Sequence, residues 1–193
     1  MKKTVMLLLL VSGIMNAQET EFTFNNERGM TDFIVTPVEG KTAPEIYKKV
    51  IEWIKVTYKN PDKVILSTID NEYVRFEGSS NSFYSLFNFM MGTKDYYNTK
   101  YQIEISIKDG KYKFDIISLE KYSEPSKYSA GGWYDDSIFN RNMPKEKLSD
   151  IYKKDGSLRG LWRNLSEIPI YFNNLNKSLL ESMTTSIKKN DGW

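Results

Sequence analysis

The sequence predicts an α+β fold: an antiparallel sheet with packed helices and a helical C-terminal extension. Three observations carry that reading. From 101 to 116, apolar and polar residues alternate on either side of Asp109-Gly110, as in a hairpin with one buried face. Ahead of it, at 42–58, apolar residues fall at helical spacing behind a strong start signal. Behind it, at 166–189, a second apolar stripe recurs with the helical period.

Met1-Lys2-Lys3, the apolar run 5–11 and Asn16-Ala17 before Gln18 read as a secretory signal peptide over 1–17. Met15 departs from the small residue preferred near such a cleavage point. Kept as an anchor, about 11 apolar residues in a helix would reach roughly half-way across a hydrocarbon core, so cleavage is the better reading. Residues 18–32 form a polar lead-in, with Phe22 and Phe24 alternating as in a short strand. Strand character at 33–38 ends in the turn signal Glu39-Gly40. Next, Thr42-Ala43-Pro44-Glu45 makes a capping box, in which the Thr hydroxyl and the Glu carboxylate each satisfy a backbone N–H. Pro44 sits in the first turn, where its missing N–H costs little. Ile46, Val50, Trp53 and Ile54, with Tyr47, Ile51 and Tyr58 alongside, give this helix its apolar face, and Asn60-Pro61-Asp62 stops it.

Positions 64–69 and 73–76 read as two strands joined at Asp70-Asn71. In the main hairpin, Asp109-Gly110 predicts a type I′ turn with both residues at positive φ. That register sets Ile107 opposite Tyr112, Ile105 opposite Phe114 and Ile103 opposite Ile116 on one face. On the other face Glu104 meets Asp115, an unfavourable pair with Lys113 on the diagonal. Beyond Tyr122 the composition shifts. Residues 123–142 read as a loop and 144–154 as a short helix ending at Asp155-Gly156. The last helix carries Leu165, Ile168, Phe172, Leu175, Leu179, Met183 and Ile187, with Ser166 as cap and Pro169 in the first turn.

A strand, then Ala43-Pro44-Glu45-Ile46-Tyr47, Trp53-Ile54, Tyr58-Lys59 and Val64-Ile65, then a hairpin turning at Lys108-Asp109-Gly110-Lys111, follow one another in order. On these residues the segment 33–119 resembles a family of secreted bacterial domains of unknown function, DUF4468, with a TBP-like fold. The resemblance implies a curved antiparallel β-sheet with helices packed on one face, and it supplies no activity and no catalytic residues. The apolar stretch 83–92 departs from the family pattern as an insertion. The plan is therefore a signal peptide at 1–17, a lead-in at 18–32, a TBP-like domain at 33–120, and a loop and helical extension at 121–193.

Composition narrows the chemistry. The chain has 193 residues, 27 Lys+Arg against 25 Asp+Glu, and neither His nor Cys. No Ser-His-Asp triad, Cys nucleophile, thiol redox centre or Cys/His zinc site can be built. Lys2 and Lys3 leave with the signal, so the mature chain holds as many basic as acidic residues and lacks the basic footprint nucleic acid requires. The expectation is an exported protein, periplasmic or extracellular, without cofactor, metal or transmembrane segment after cleavage.

Two clusters are candidates for function. Trp133, Tyr134, Asp135 and Asp136 follow Gly131-Gly132 in the long loop, rings beside carboxylates, which suits carbohydrate or cation recognition. The plainer reading is a solvated loop anchored by its aromatics. Neighbouring acids by themselves make neither a calcium loop nor a glycosidase pair. Phe83, Phe87, Phe89 and Met90, within the apolar run 83–91, suit a flexible rim facing a ligand, a membrane surface or a partner. Their plainer reading is an irregular strand or helix closing the core. Arg141, Lys145, Lys147, Lys153, Lys154, Arg159 and Arg163 give 141–163 a basic excess suited to anionic lipid or polysaccharide, or to an ordinary solvated face. The stripe of the last helix is core packing or a homodimer seam. Taken together these features predict a non-catalytic envelope or extracellular binding module whose partner is a glycan or an envelope protein. The alternatives are a carboxylate-dependent hydrolase of glycan or peptide using Asp135 or Asp136, and a structural or assembly component.

Overall fold

A computed structural model describes residues 19–27, 29–135 and 145–184; the expected signal segment 1–17, Asp136, Arg141 and Ile187 lie outside them. In chain order the elements are β1 (Phe24–Asn25), β2 (Gly29–Met30), β3 (Phe33–Pro37), α1 (Ala43–Thr57), α2 (Pro61–Val64), β4 (Ile65–Ile69) and β5 (Tyr73–Ser80). There follow β6 (Ser85–Asn88), β7 (Thr93–Tyr96), β8 (Thr99–Lys108), β9 (Lys111–Ser123), β10 (Gly132–Asp135), α3 (Lys145–Ile151), a 3-10 turn at Gly160–Trp162 and α4 (Glu167–Thr184). Six strands make one antiparallel sheet: five run in the order β10–β9–β8–β5–β4, and β3 pairs with β9 off that path. Strand β9 is long enough to pair with β8 along one edge and with β3 and then β10 along the other.

The hairpin of β8 and β9 has the expected register, with Ile107 opposite Tyr112, Ile105 opposite Phe114 and Ile103 opposite Ile116. A bulge follows, because Gln102 pairs with Ser118 and leaves Ile117 over. The extra residue resets the alternation, so Leu119 rather than Ser118 faces the core opposite Tyr101. The turn differs from expectation: only Gly110 has a positive φ (74°), so it is not type I′. Its geometry is set from outside the hairpin. The Asp109 carboxylate accepts the Ala43 N–H at 2.7 Å, and the Gly110 N–H is donated to the Lys41 carbonyl at 2.8 Å. The hairpin turn thus caps α1. At that cap the expected capping box forms between Thr42 and Glu45: the Glu45 carboxylate accepts the Thr42 N–H at 2.8 Å, and it also accepts the Thr42 hydroxyl at 2.9 Å. The Glu104–Asp115 clash is resolved sideways: Arg75 of β5 pairs with Glu104 at 3.0 Å, and Lys113 turns to Asp115 at 2.9 Å.

Both long helices cover one face of the sheet. Ile46, Val50, Trp53 and Ile54 of α1 and Ile168, Phe172, Leu179 and Met183 of α4 are buried with Val74, Phe76, Ile103, Ile105, Tyr112 and Phe114. Trp53 Nε1 donates to Ser178 Oγ at 3.1 Å, tying helix to helix. Asn173 of α4 bonds both the N–H and the carbonyl of Phe22, at 2.7 and 3.0 Å, which seats the lead-in segment against the core. The apolar stripe of the last helix is therefore packed within the chain. Two local readings change. Val64 closes the short helix α2 instead of opening a strand, and the stretch 83–92 is neither irregular nor helical but forms most of the hairpin β6–β7.

Candidate functional site

The sheet runs out into a cleft at the end where β5 stops and β8 begins. Ser79, Ser80, Asn81, Asn98, Thr99, Tyr122 and Trp133 line about 500 Å³ of open space, within the range of small-ligand sites. Register explains the assembly. Ser80 pairs with Thr99, Thr99 with Lys121, and Tyr122 with Trp133, so four strands deliver their ends to one place. Asn81 and Asn98 stand at the two feet of the β6–β7 hairpin. Trp133 packs edge-on against Tyr122, ring centroids 5.3 Å apart. The Lys100 ammonium lies 4.7 Å from the Trp133 ring centre and pairs with Glu120 at 2.9 Å. The indole is 41 % exposed, so it keeps surface for a ligand while its position is held.

Of the first candidate cluster, Trp133 lines the cleft, while Tyr134 and Asp135 lie on the same short strand β10 without lining it, and Asp136 is outside the described residues. The expected loop is an edge strand here. Gly131, at φ 72°, folds the chain so tightly on Pro125 that 132–135 can pair with β9. Tyr134 bonds back to the Gly131 carbonyl at 3.2 Å. Asp135 is in register with Glu120, two carboxylates side by side on one sheet face. Of the second cluster, Phe83 is buried and stacked on Tyr171 with centroids 4.1 Å apart. Phe87 is partly buried, with the Arg163 guanidinium over its ring, and Phe89 and Met90 stand exposed at the hairpin tip. Sequence reasoning missed Ser79, Ser80, Asn81, Asn98, Thr99 and Tyr122. The alternation of residues along β8 and β9 was visible, but nothing in it says which strand ends share an opening.

Among the described residues no three His, Cys, Asp or Glu side chains gather into a metal-binding group, and no helix is long and apolar enough to cross a membrane. Residues 34–121 match the family described as a domain of unknown function (DUF4468) with TBP-like fold. This stretch of the chain is a DUF4468 domain. Two solved structures share its fold. A DUF4468 family protein from Bacteroides ovatus aligns with a TM-score of 0.56 at 14% identity, covering 81% of this chain and 87% of its own. A TBP-like protein from Parabacteroides distasonis aligns with a TM-score of 0.52 at 14% identity, covering 80% and 92%. No curated protein matches the sequence. The likeness is one of fold, and it extends well beyond the DUF4468 stretch.

The boundary of the DUF4468 domain cuts through both the core and the cleft. Tyr58 and Tyr101, inside it, form a hydroxyl chain with Tyr171 of α4, outside it, at 3.2 and 2.8 Å. Burial raises the pKa of Tyr58 and Tyr101, so these phenols stay protonated and act as structure, not as acids. In the cleft, Ser79, Ser80, Asn81, Asn98 and Thr99 come from the domain, whereas Tyr122 and Trp133 follow it.

Proposed function

We propose that the protein is an exported, non-catalytic binding module of the cell envelope or extracellular space, and that the cleft holds a glycan. The observation that supports this is the lining: the aromatic rings of Tyr122 and Trp133 together with hydroxyls and amides from Ser79, Ser80, Asn81, Asn98 and Thr99. Sugars present apolar C–H faces that stack on rings and hydroxyls that exchange hydrogen bonds with amides. Such a lining binds and orients, and among the described residues that line it none is a carboxylate that could activate water. Asp135 and Glu120 are partners in register on adjacent strands and neither lines the cleft, which weighs against the hydrolase alternative.

The test has two parts. Intact mass of the protein recovered from its host's envelope and medium is expected to begin at Gln18. Affinity electrophoresis through gels containing polysaccharides extracted from that envelope is expected to retard the protein. Trp133→Ala and Tyr122→Ala should abolish the retardation while leaving the circular dichroism spectrum unchanged. Retardation that survives both substitutions would remove the cleft from the reading, and sugar release that disappears in Asp135→Asn would replace it with the hydrolase.

A further inference from the structure

We propose that the β6–β7 hairpin docks the protein on an anionic lipid bilayer, its apolar tip entering the interface beside a cluster of arginines. The hairpin leaves the sheet between Ser80 and Thr99 and ends in Phe89, Met90 and Met91, which are 66%, 98% and 75% exposed. They are held outward by design of the turn. Asn88 Oδ1 accepts the N–H groups of Met90 and Met91 at 3.1 and 3.2 Å, and its carbonyl accepts that of Gly92 at 2.8 Å. The other end of the hairpin is anchored, because Phe83, Tyr84 and Ser85 are buried. Phe87 and Phe89 meet edge-on with centroids 5.1 Å apart.

Charge supplies the choice of occupant. The hairpin packs on the 3-10 turn, where Phe89 lies against Gly160 so closely that a side chain there would collide with its ring. That places Arg159 and Arg163 beside the apolar residues. The Arg163 guanidinium sits 3.0 Å from the Phe87 ring centre, and Arg159 Nε donates to the Ser149 and Tyr152 carbonyls at 3.0 and 3.2 Å. Among the described residues no carboxylate pairs with either arginine. The acids nearby are already engaged: Glu167 pairs with Lys94, and Asp95 accepts from Asn88 and Thr93 within the hairpin. Lys153 and Lys154, both exposed, extend the basic segment against Asp155. The exposed Met side chains at the tip and the arginines beside them, with which no described carboxylate pairs, offer apolar surface and positive charge together. This combination fits a fluid layer with an apolar interior and anionic headgroups, into which interfacial segments sink about 5–10 Å. Two features that the sequence showed separately, the apolar run at 83–91 and, from the basic run, Arg159 and Arg163, come together only through the fold.

Because the chain has no cysteine, Met90→Cys can carry a single environment-sensitive fluorophore, with Lys111→Cys at the opposite end of the sheet as control. Every variant is purified from the host with the same N-terminus. Vesicles of phosphatidylcholine with about 30% phosphatidylglycerol are expected to blue-shift the label at 90 and not at 111, and pure phosphatidylcholine should do so weakly. In co-sedimentation, the double variant Met90→Asp, Met91→Asp should bind anionic vesicles at least about tenfold more weakly, and raising salt should weaken the parent. Arg163→Gln and Arg159→Gln should each reduce the preference for anionic over neutral vesicles. No shift at 90, or sedimentation unchanged by the double variant, would overturn the proposal. So would concentration-dependent dimerisation that the double variant abolishes, since the tip would then face a second copy. Cleft variants such as Trp133→Ala leave this readout untouched, so failure here and failure of the glycan reading are separable.

Discussion

Gly78 lies in the middle of β5 because the ring of Tyr101 takes the place of a side chain: a Cβ there would come within 2.4 Å of the ring. That closeness lets Tyr101 reach Tyr58 on one side and Tyr171 on the other. Gly78→Ala should push the ring out of the chain of hydroxyls and destabilise the fold by about 1–3 kcal/mol, read as a lower urea midpoint with unchanged slope. A midpoint equal to the parent's would mean the ring has room to move. Asn176 illustrates the same logic for a buried amide. It accepts from Tyr112 Oη at 2.8 Å and donates to Thr36 Oγ1 at 3.1 Å, so a polar residue in the stripe of α4 is satisfied within the core. Neither contact is visible in the sequence, where Gly78 reads as a weak strand residue and Asn176 as an interruption of the stripe.

Helix α1 is the element on which local signals agreed most, and its start ties three parts of the chain together. The Glu45 carboxyl titrates below its ordinary value, chiefly because it accepts the Thr42 N–H and then the Thr42 hydroxyl. A carboxyl whose pKa is lowered on folding stabilises above its unfolded pKa and loses that contribution as pH falls through the folded one. Glu45→Gln should therefore be less stable than the parent near neutrality, and the two should converge on acidification below about pH 4. Urea titrations at both pH values check this, and a gap that persists in acid would assign the effect to packing. The main hairpin was equally legible in register, because alternation fixes which residues face inward. Its turn type was not, because Asp109 answers to the N–H of Ala43, a residue 66 positions earlier. Strand β10 was missed for a related reason: a strand of four residues has too short a pattern, and it exists only because β9 offers an edge.

At the scale of the whole molecule, the matched domain shares its core with residues outside it. Residues 34–121 supply the sheet from β3 to most of β9 together with α1, yet α4 covers the same face and buries Phe172, Leu179 and Met183 there. The segment 33–121 expressed alone should show strand content without a cooperative unfolding transition, and should bind an apolar dye that the whole protein does not. A sharp two-state transition in that segment would show that α1 and the sheet suffice. What the sequence by itself determined about this protein is local and periodic: its fold class, the inward faces of α1, β8 and β9, the cap at Thr42–Glu45, and the DUF4468 resemblance. The first three follow from residue spacing along one chain segment, which a periodic pattern encodes directly, and the resemblance rests on particular residues and turns in their order. The cleft at the strand ends, the packing of α4 beside α1, and the meeting of the hairpin tip with Arg159 and Arg163 were decided only by tertiary structure. Each joins residues many positions apart, and such pairings are selected by burial of the shared core rather than by any spacing that the sequence displays.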